Sequence, residues 1–119
     1  MNHLCITGRI HFEPIYEQIE GTKVIRLTIK HIDQHVQPKM AVMLKCEWYN
    51  PPPNYWKSPK MTPGTLVYLE GPIYQSLSKN EEAILNRTPF VKILHFDIRT
   101  TQEDFLEMQR RAAEKGRRK

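Results

Sequence analysis

Four aromatic side chains, Trp48, Tyr49, Tyr55 and Trp56, fall within nine residues and are interleaved with Lys45, Lys57 and Lys60. Flat aromatic faces stack on nucleobases of any identity and ammonium groups pair with phosphates, so together they suit a flexible single strand of nucleic acid. Tyr68 and Tyr74 add rings on or beside a later strand, and Arg9, Arg26 and Lys30 project from the polar faces of two earlier ones. Each has a plainer reading as well. A tryptophan at a strand end, such as Trp48, serves equally as a core plug. Tyr55 and Trp56 lie in a proline-rich loop with no periodic reason for burial, which favours exposed contacts. Tyr68 has the outward parity of its strand, which fits either nucleic acid or a subunit contact. The strand lysines and arginines also suit a simple solvated face.

Catalytic chemistry finds no comparable support. The chain has no GxGxxG, P-loop, GxSxG or HExxH pattern, so neither an enzymatic activity nor a cofactor is expected. His31 and His35 are four apart at a strand end, where that spacing does not put them on one face. His3, Cys5, His11, Cys46 and His95 share no ligand spacing, and no metal site is expected. The pair Glu81-Glu82 lies in a polar stretch with no second group beside it. Cys5 and Cys46 lack CxxC spacing and sit in strand-like segments, which reads as two free thiols, buried or half-buried.

The elements that must position these groups are mostly strands. Residues 3–12 alternate with period two, placing Leu4, Ile6, Ile10 and Phe12 on one face, with Gly8 inward where a strand bends or another backbone comes close. Pro14 ends or bulges that strand, and Glu20-Gly21-Thr22 reads as a turn. Residues 23–32 turn Ile25, Leu27 and Ile29 one way, and residues 39–49 do the same with Met40, Val42, Leu44 and Cys46. Five of the nine prolines fall in residues 50–64. Proline fixes φ and donates no hydrogen bond, so this segment is expected as a long, stiff loop. Residues 65–74 give a fourth strand interrupted at Gly71-Pro72, 75–89 a polar excursion or hairpin, and 90–99 a fifth strand. Five strands without helical period predict a small closed or partly closed antiparallel barrel. At 102–115 the period becomes helical, with Phe105, Met108 and Ala112 in a narrow stripe and acids preceding bases.

Charge is informative by its placement. Residues 110–119 hold six basic side chains against Glu114, which accounts for the whole formal charge of +5; the other 109 residues balance at 12 basic and 12 acidic. A basic end of this kind neutralises phosphates, or serves equally as a solubilising end or a contact for an acidic partner protein. No apolar run approaches the roughly 18 residues of a membrane span. The N-terminus has no secretory pattern, so a cytoplasmic, nucleoid-associated protein with no membrane partner is expected.

The segment Gly64-Thr65-Leu66-Val67-Tyr68-Leu69-Glu70-Gly71-Pro72-Ile73 resembles the G-x-x-V-Y-[IL]-E-G-x-[IL] stretch of bacterial single-stranded DNA-binding proteins. Asn2, Leu4, Ile6, Gly8, Ile10 and Pro14, followed by Gly21, Val24, Leu27 and Ile29, are similar to that family's opening strands. The resemblance covers roughly residues 2–100 and extends to the dimeric, primosomal PriB-type relatives. It implies a five-stranded antiparallel OB-fold barrel over 1–100, with 101–119 a C-terminal helix and basic tail. It further implies sequence-tolerant binding of single-stranded DNA in replication, repair or recombination by a homo-oligomer, dimer or tetramer. Two departures stand out: the proline loop replaces a short helix between strands three and four, and a basic end replaces an acidic tip that recruits replication proteins. An accessory module contacting primosome or replication proteins, or an RNA-binding OB domain, is the alternative.

Overall fold

Period-two apolar patterning is realised as strands whose inward residues meet across one core. The structure, a computed structural model, describes residues 2–33, 40–75 and 88–117. His35, Asn80, Glu81, Glu82, Arg118 and Lys119, to which the sequence reading refers, lie outside the described residues. Among the described residues there are eight strand segments: β1 (Leu4–Ile10), β2 (Ile15–Ile19), β3 (Thr22–Asp33), β4 (Met40–Tyr49), β5 (Leu66–Gly71), β6 (Ile73–Tyr74), β7 (Phe90–Lys92) and β8 (His95–Thr100). Among the described residues one helix, α1 (Gln102–Arg117), follows.

The eight segments are five long strands broken at kinks. Pro14 separates β1 from β2, Pro72 separates β5 from β6, and Ile93-Leu94 separate β7 from β8. The sheet order is β6-β7-β4-β3-β1-β5-β8, with β2 added onto β3. Pairings are antiparallel except β4 with β7, which is parallel, a departure from the all-antiparallel expectation. This order is an open path. Its two ends nevertheless come together, because β5 and β6 are separated by one residue and the amides of Lys92, Ile93 and Leu94 donate in turn to Pro72, Glu47 and Glu70. The result is the partly closed barrel of an OB-fold, with one C-terminal helix.

Register explains the core. Ile25 faces Trp48, Leu27 faces Cys46 and Ile29 faces Leu44 across β3 and β4. These side chains, apart from half-buried Leu44, are buried with Ile10, Val67, Leu69, Val91, Ile93 and Phe96. Burying each such aliphatic or aromatic group stabilises by about 1.5–3 kcal/mol. Gly8 is inward as expected: a Cβ there would lie 2.6 Å from Ile29 Cγ2 and 2.7 Å from the Lys30 carbonyl oxygen. Gly71 is tighter still, with a Cβ position 1.8 Å from the Lys92 carbonyl oxygen, so β7 crosses β5 where no side chain is present. Glu20 and Gly21, both at positive φ (50° and 82°), make the two-residue turn between β2 and β3; that twist matches the flanking strands.

Four expectations are corrected. Phe12 is 59% exposed, because the chain leaves β1 at Ile10 and parity no longer governs it. Met40 and Val42 are exposed, since the outer halves of β3 and β4 extend past the barrel. Cys5 is exposed, whereas Cys46 is buried and its thiol is pushed up to about 12 by that burial. On α1, Phe105 is half-buried but Met108 is exposed, so the apolar stripe seats at one position.

Candidate nucleic-acid interface

The proline loop is where sequence placed the most chemistry, and the structure turns it inward. Pro52 and Pro53 start a 3-10 turn at Pro53–Tyr55, a geometry proline tolerates at a helix start. Successive turns then carry the chain to Met61, which is buried in the core. Thr65, also buried, donates its hydroxyl to the Lys60 carbonyl at 2.8 Å, so its polar group is satisfied. Trp48 is 7% exposed, packed at a tilt against Phe96 at 4.7 Å and Tyr55 at 5.1 Å between ring centroids. It is the core plug, not a base platform. Tyr55 also meets Phe96 edge-on. Trp56 packs edge-on against Tyr16 at 5.1 Å, with the Lys23 ammonium over its ring. Burial raises the pKa of the Tyr16 hydroxyl, and nearby Glu13 raises it further. Lys57 and Lys60 remain exposed on the outside of this plug.

A second aromatic and basic surface stands on the outer face of the sheet. Directly paired residues share a face, so register defines two adjacent rows. One runs Thr28, Lys45, Phe90, Tyr74 across β3, β4, β7 and β6. The other runs Ile15, Arg26, Glu47, Lys92 across β2, β3, β4 and β7. Tyr74 is 47% exposed, with its ring 6.4 Å from that of Phe90. Above the rows lies a cleft of about 460 Å³ walled by Phe12 and Ile15 on one side and Phe90 on the other, with Thr28 and Lys45 in its lining.

The electrostatics of this face separate bound charge from available charge. Arg26 lies 3.5 Å from Glu17 and 3.7 Å from Glu47, which largely neutralises it. Tyr49, 37% exposed, donates its hydroxyl to Glu47 at 2.8 Å, and burial together with that carboxylate raises its pKa. Lys92 sits over the Tyr49 ring, 5.6 Å from its centroid. Among the described residues, Lys45 and Lys92 are in no ion pair. Phe12, Phe90 and Lys92 were missed by the sequence reading. Only the pairing of β7 with β4, a contact between distant segments, brings two of them here.

The remaining residues lie elsewhere. Arg9 donates to the Gly64 carbonyl at 2.8 Å and its guanidinium lies 3.7 Å from the Phe105 ring centroid, and burial draws its pKa down. It fastens the first turns of α1 to the barrel. Lys30 is half-buried, between Arg9 on β1 and Met43 on β4. Tyr68 faces outward from β5 with Arg99 over its ring and His95 beside it, toward the other end of the strand order.

No family model matches the chain, and no curated protein matches it. Among solved structures, the chain is similar to the N-terminal domain of the PriB protein from Thermoanaerobacter tencongensis, whose structure is described as dimeric. The TM-score is 0.60 at 13% sequence identity, over 82% of this chain and 96% of that one. What the two share is the fold.

Proposed function

We propose that this chain binds single-stranded DNA without regard to sequence, across the outer face of β3, β4, β7 and β6, and works as a homo-oligomer. The observation that carries the reading is the row of Lys45, Phe90 and Tyr74 beside a cleft rimmed by Phe12, in which exposed Lys45, in no ion pair among the described residues, neighbours half-buried Phe90 and exposed Tyr74. Rings at this spacing accept stacked bases and lysines accept phosphates. The second and third long strands, β3 and β4 here, are the face an OB-fold uses for oligonucleotides. The fold shared with the PriB domain supports the same reading.

Self-association is supported by a strand edge. β1 is paired along Leu4–Arg9 with β5, but toward β3 its described pairing is confined to Arg9 and Ile10. The Thr7 carbonyl on that side is met by His31 Nδ1 at 2.7 Å. An edge left open in this way accepts a second copy of the same strand. The cellular setting we propose is DNA replication, repair or recombination in the cytoplasm, with no catalytic step.

A second reading, an accessory module contacting a replication or primosome protein, is favoured by α1. Leu106 and Met108 are exposed on it near Arg110 and Arg111. The described residues hold no helix long and apolar enough to cross a membrane.

The test is a fluorescence-anisotropy titration of labelled oligothymidylate at low salt, with a matched RNA in parallel. Tryptophan quenching is a poor reporter here, since Trp48 is buried and Trp56 is packed on Tyr16. DNA binding that weakens with salt and with Phe90→Ala is expected. No binding of oligothymidylate at low salt, or equal loss in every surface variant, overturns the assignment.

A further inference from the structure

Away from the proposed cleft, β1 and β5 bring three metal-ligating side chains of different chemistry together. His3 and Cys5 are two apart on an extended chain, so they point to the same side. Glu70 lies directly across from Cys5 in the ladder. His3 Nε2 is 2.9 Å from Glu70 Oε2, Cys5 Sγ is 3.6 Å from the same oxygen, and the three ligand atoms lie within 4.8 Å of one another. Bonds of about 2.0–2.3 Å in a tetrahedral site place ligand atoms roughly 3.3–3.8 Å apart. The cluster therefore needs shifts of about an ångström in two exposed side chains and half-buried Glu70.

The scaffold around it is already fixed. Asn2 donates through Nδ2 to the Ile73 carbonyl at 2.7 Å and accepts the Ile73 amide at 2.9 Å, which clamps the residue before His3 onto β6. Tyr68, two residues before Glu70 on β5 and paired with Thr7, stands on the same side of the sheet beside the cluster. A thiolate and a carboxylate with a neutral imidazole carry two negative charges, which balance a divalent ion.

We propose that His3, Cys5 and Glu70 form a zinc site, with water in the fourth position. Mixed sulfur, nitrogen and carboxylate ligands select zinc over magnesium or calcium, which prefer oxygen alone. The sequence expectation of no metal site is revised here because ligand spacing was sought along the chain. Glu70 is 65 residues from Cys5, and the pairing of β1 with β5 supplies the third ligand.

The chain has two cysteines, and Cys46 is buried, so a thiolate signal identifies Cys5. The experiment uses the full, tag-free chain, reduced and stripped with a chelator, titrated with Co²⁺ without nucleic acid. A thiolate-to-cobalt band in the near ultraviolet with tetrahedral visible bands is expected, bleached by added Zn²⁺. Cys5→Ser removes the near-ultraviolet band. Loss of Glu70 in Glu70→Gln, which keeps the thiol, lowers Co²⁺ affinity by about tenfold or more, at least the cost of losing an outer-shell partner. Absence of the band in the unmodified chain overturns the proposal. So does its persistence in Cys5→Ser, or unchanged affinity in Glu70→Gln.

Discussion

The proline loop and the outer face of β4 and β7 are built from the same materials, aromatic rings and lysines, and do opposite things with them. In the loop, Tyr55 and Trp56 have rings opposite them, Phe96 and Trp48 for one and Tyr16 for the other. On the sheet face, Phe90 and Tyr74 have each other as neighbours and a cleft in front. Composition alone does not distinguish these cases. An aromatic residue is available to a base when its own fold leaves one ring face unpaired, and long-range pairing decides that.

The comparison breaks most visibly in stability. Trp48→Ala empties the centre of the ring cluster and is expected to cost about 3–5 kcal/mol by denaturant unfolding, while DNA affinity of the folded fraction holds. A loss of affinity with no loss of stability would return Trp48 to the binding surface. Next in size is Phe90→Ala. One stacked base is worth about 1–3 kcal/mol, so affinity for oligothymidylate should fall by about 5- to 150-fold. Lys45→Gln acts more weakly, and its signature is in salt. The slope of log affinity against log salt should shrink by about 0.7, the share of one phosphate contact on a single strand; an unchanged slope places Lys45 off the path. Smallest of all is Arg26→Gln. Arg26 itself is exposed in its ion pairs at 3.5 and 3.7 Å, and such surface pairs contribute about 0–1 kcal/mol. Calorimetric melting should show a shift of a few degrees at most, and a larger one would make Arg26 a structural linchpin of this face.

Much of the barrel was legible because strand period is local. Ile25, Leu27 and Ile29 announce an inward face by parity, and Gly8 marks the spot where Ile29 and Lys30 press against β1. The helix was legible from its period and its early acids, Glu103 and Asp104. The site was less so, and for a physical reason. Tyr49, Tyr74, Lys45 and Arg26 were found as residue types, but Phe12 was assigned inward by a parity that stops at Ile10, and Phe90 was placed in the fifth strand with no face assigned. Trp56 lacked any periodic cue, and its partner Tyr16 belongs to a segment broken off by Pro14. His3, Cys5 and Glu70 likewise meet through β1–β5 register rather than spacing.

The central claim is that bases meet the sheet face and not the loop. Matched anisotropy titrations of Phe90→Ala and Trp56→Ala against labelled oligothymidylate at low salt test it most directly. A clear loss of affinity is expected for Phe90→Ala, and an affinity close to that of the unmodified chain for folded Trp56→Ala. The reverse pattern, with Trp56→Ala crippled and Phe90→Ala unaffected, would contradict it.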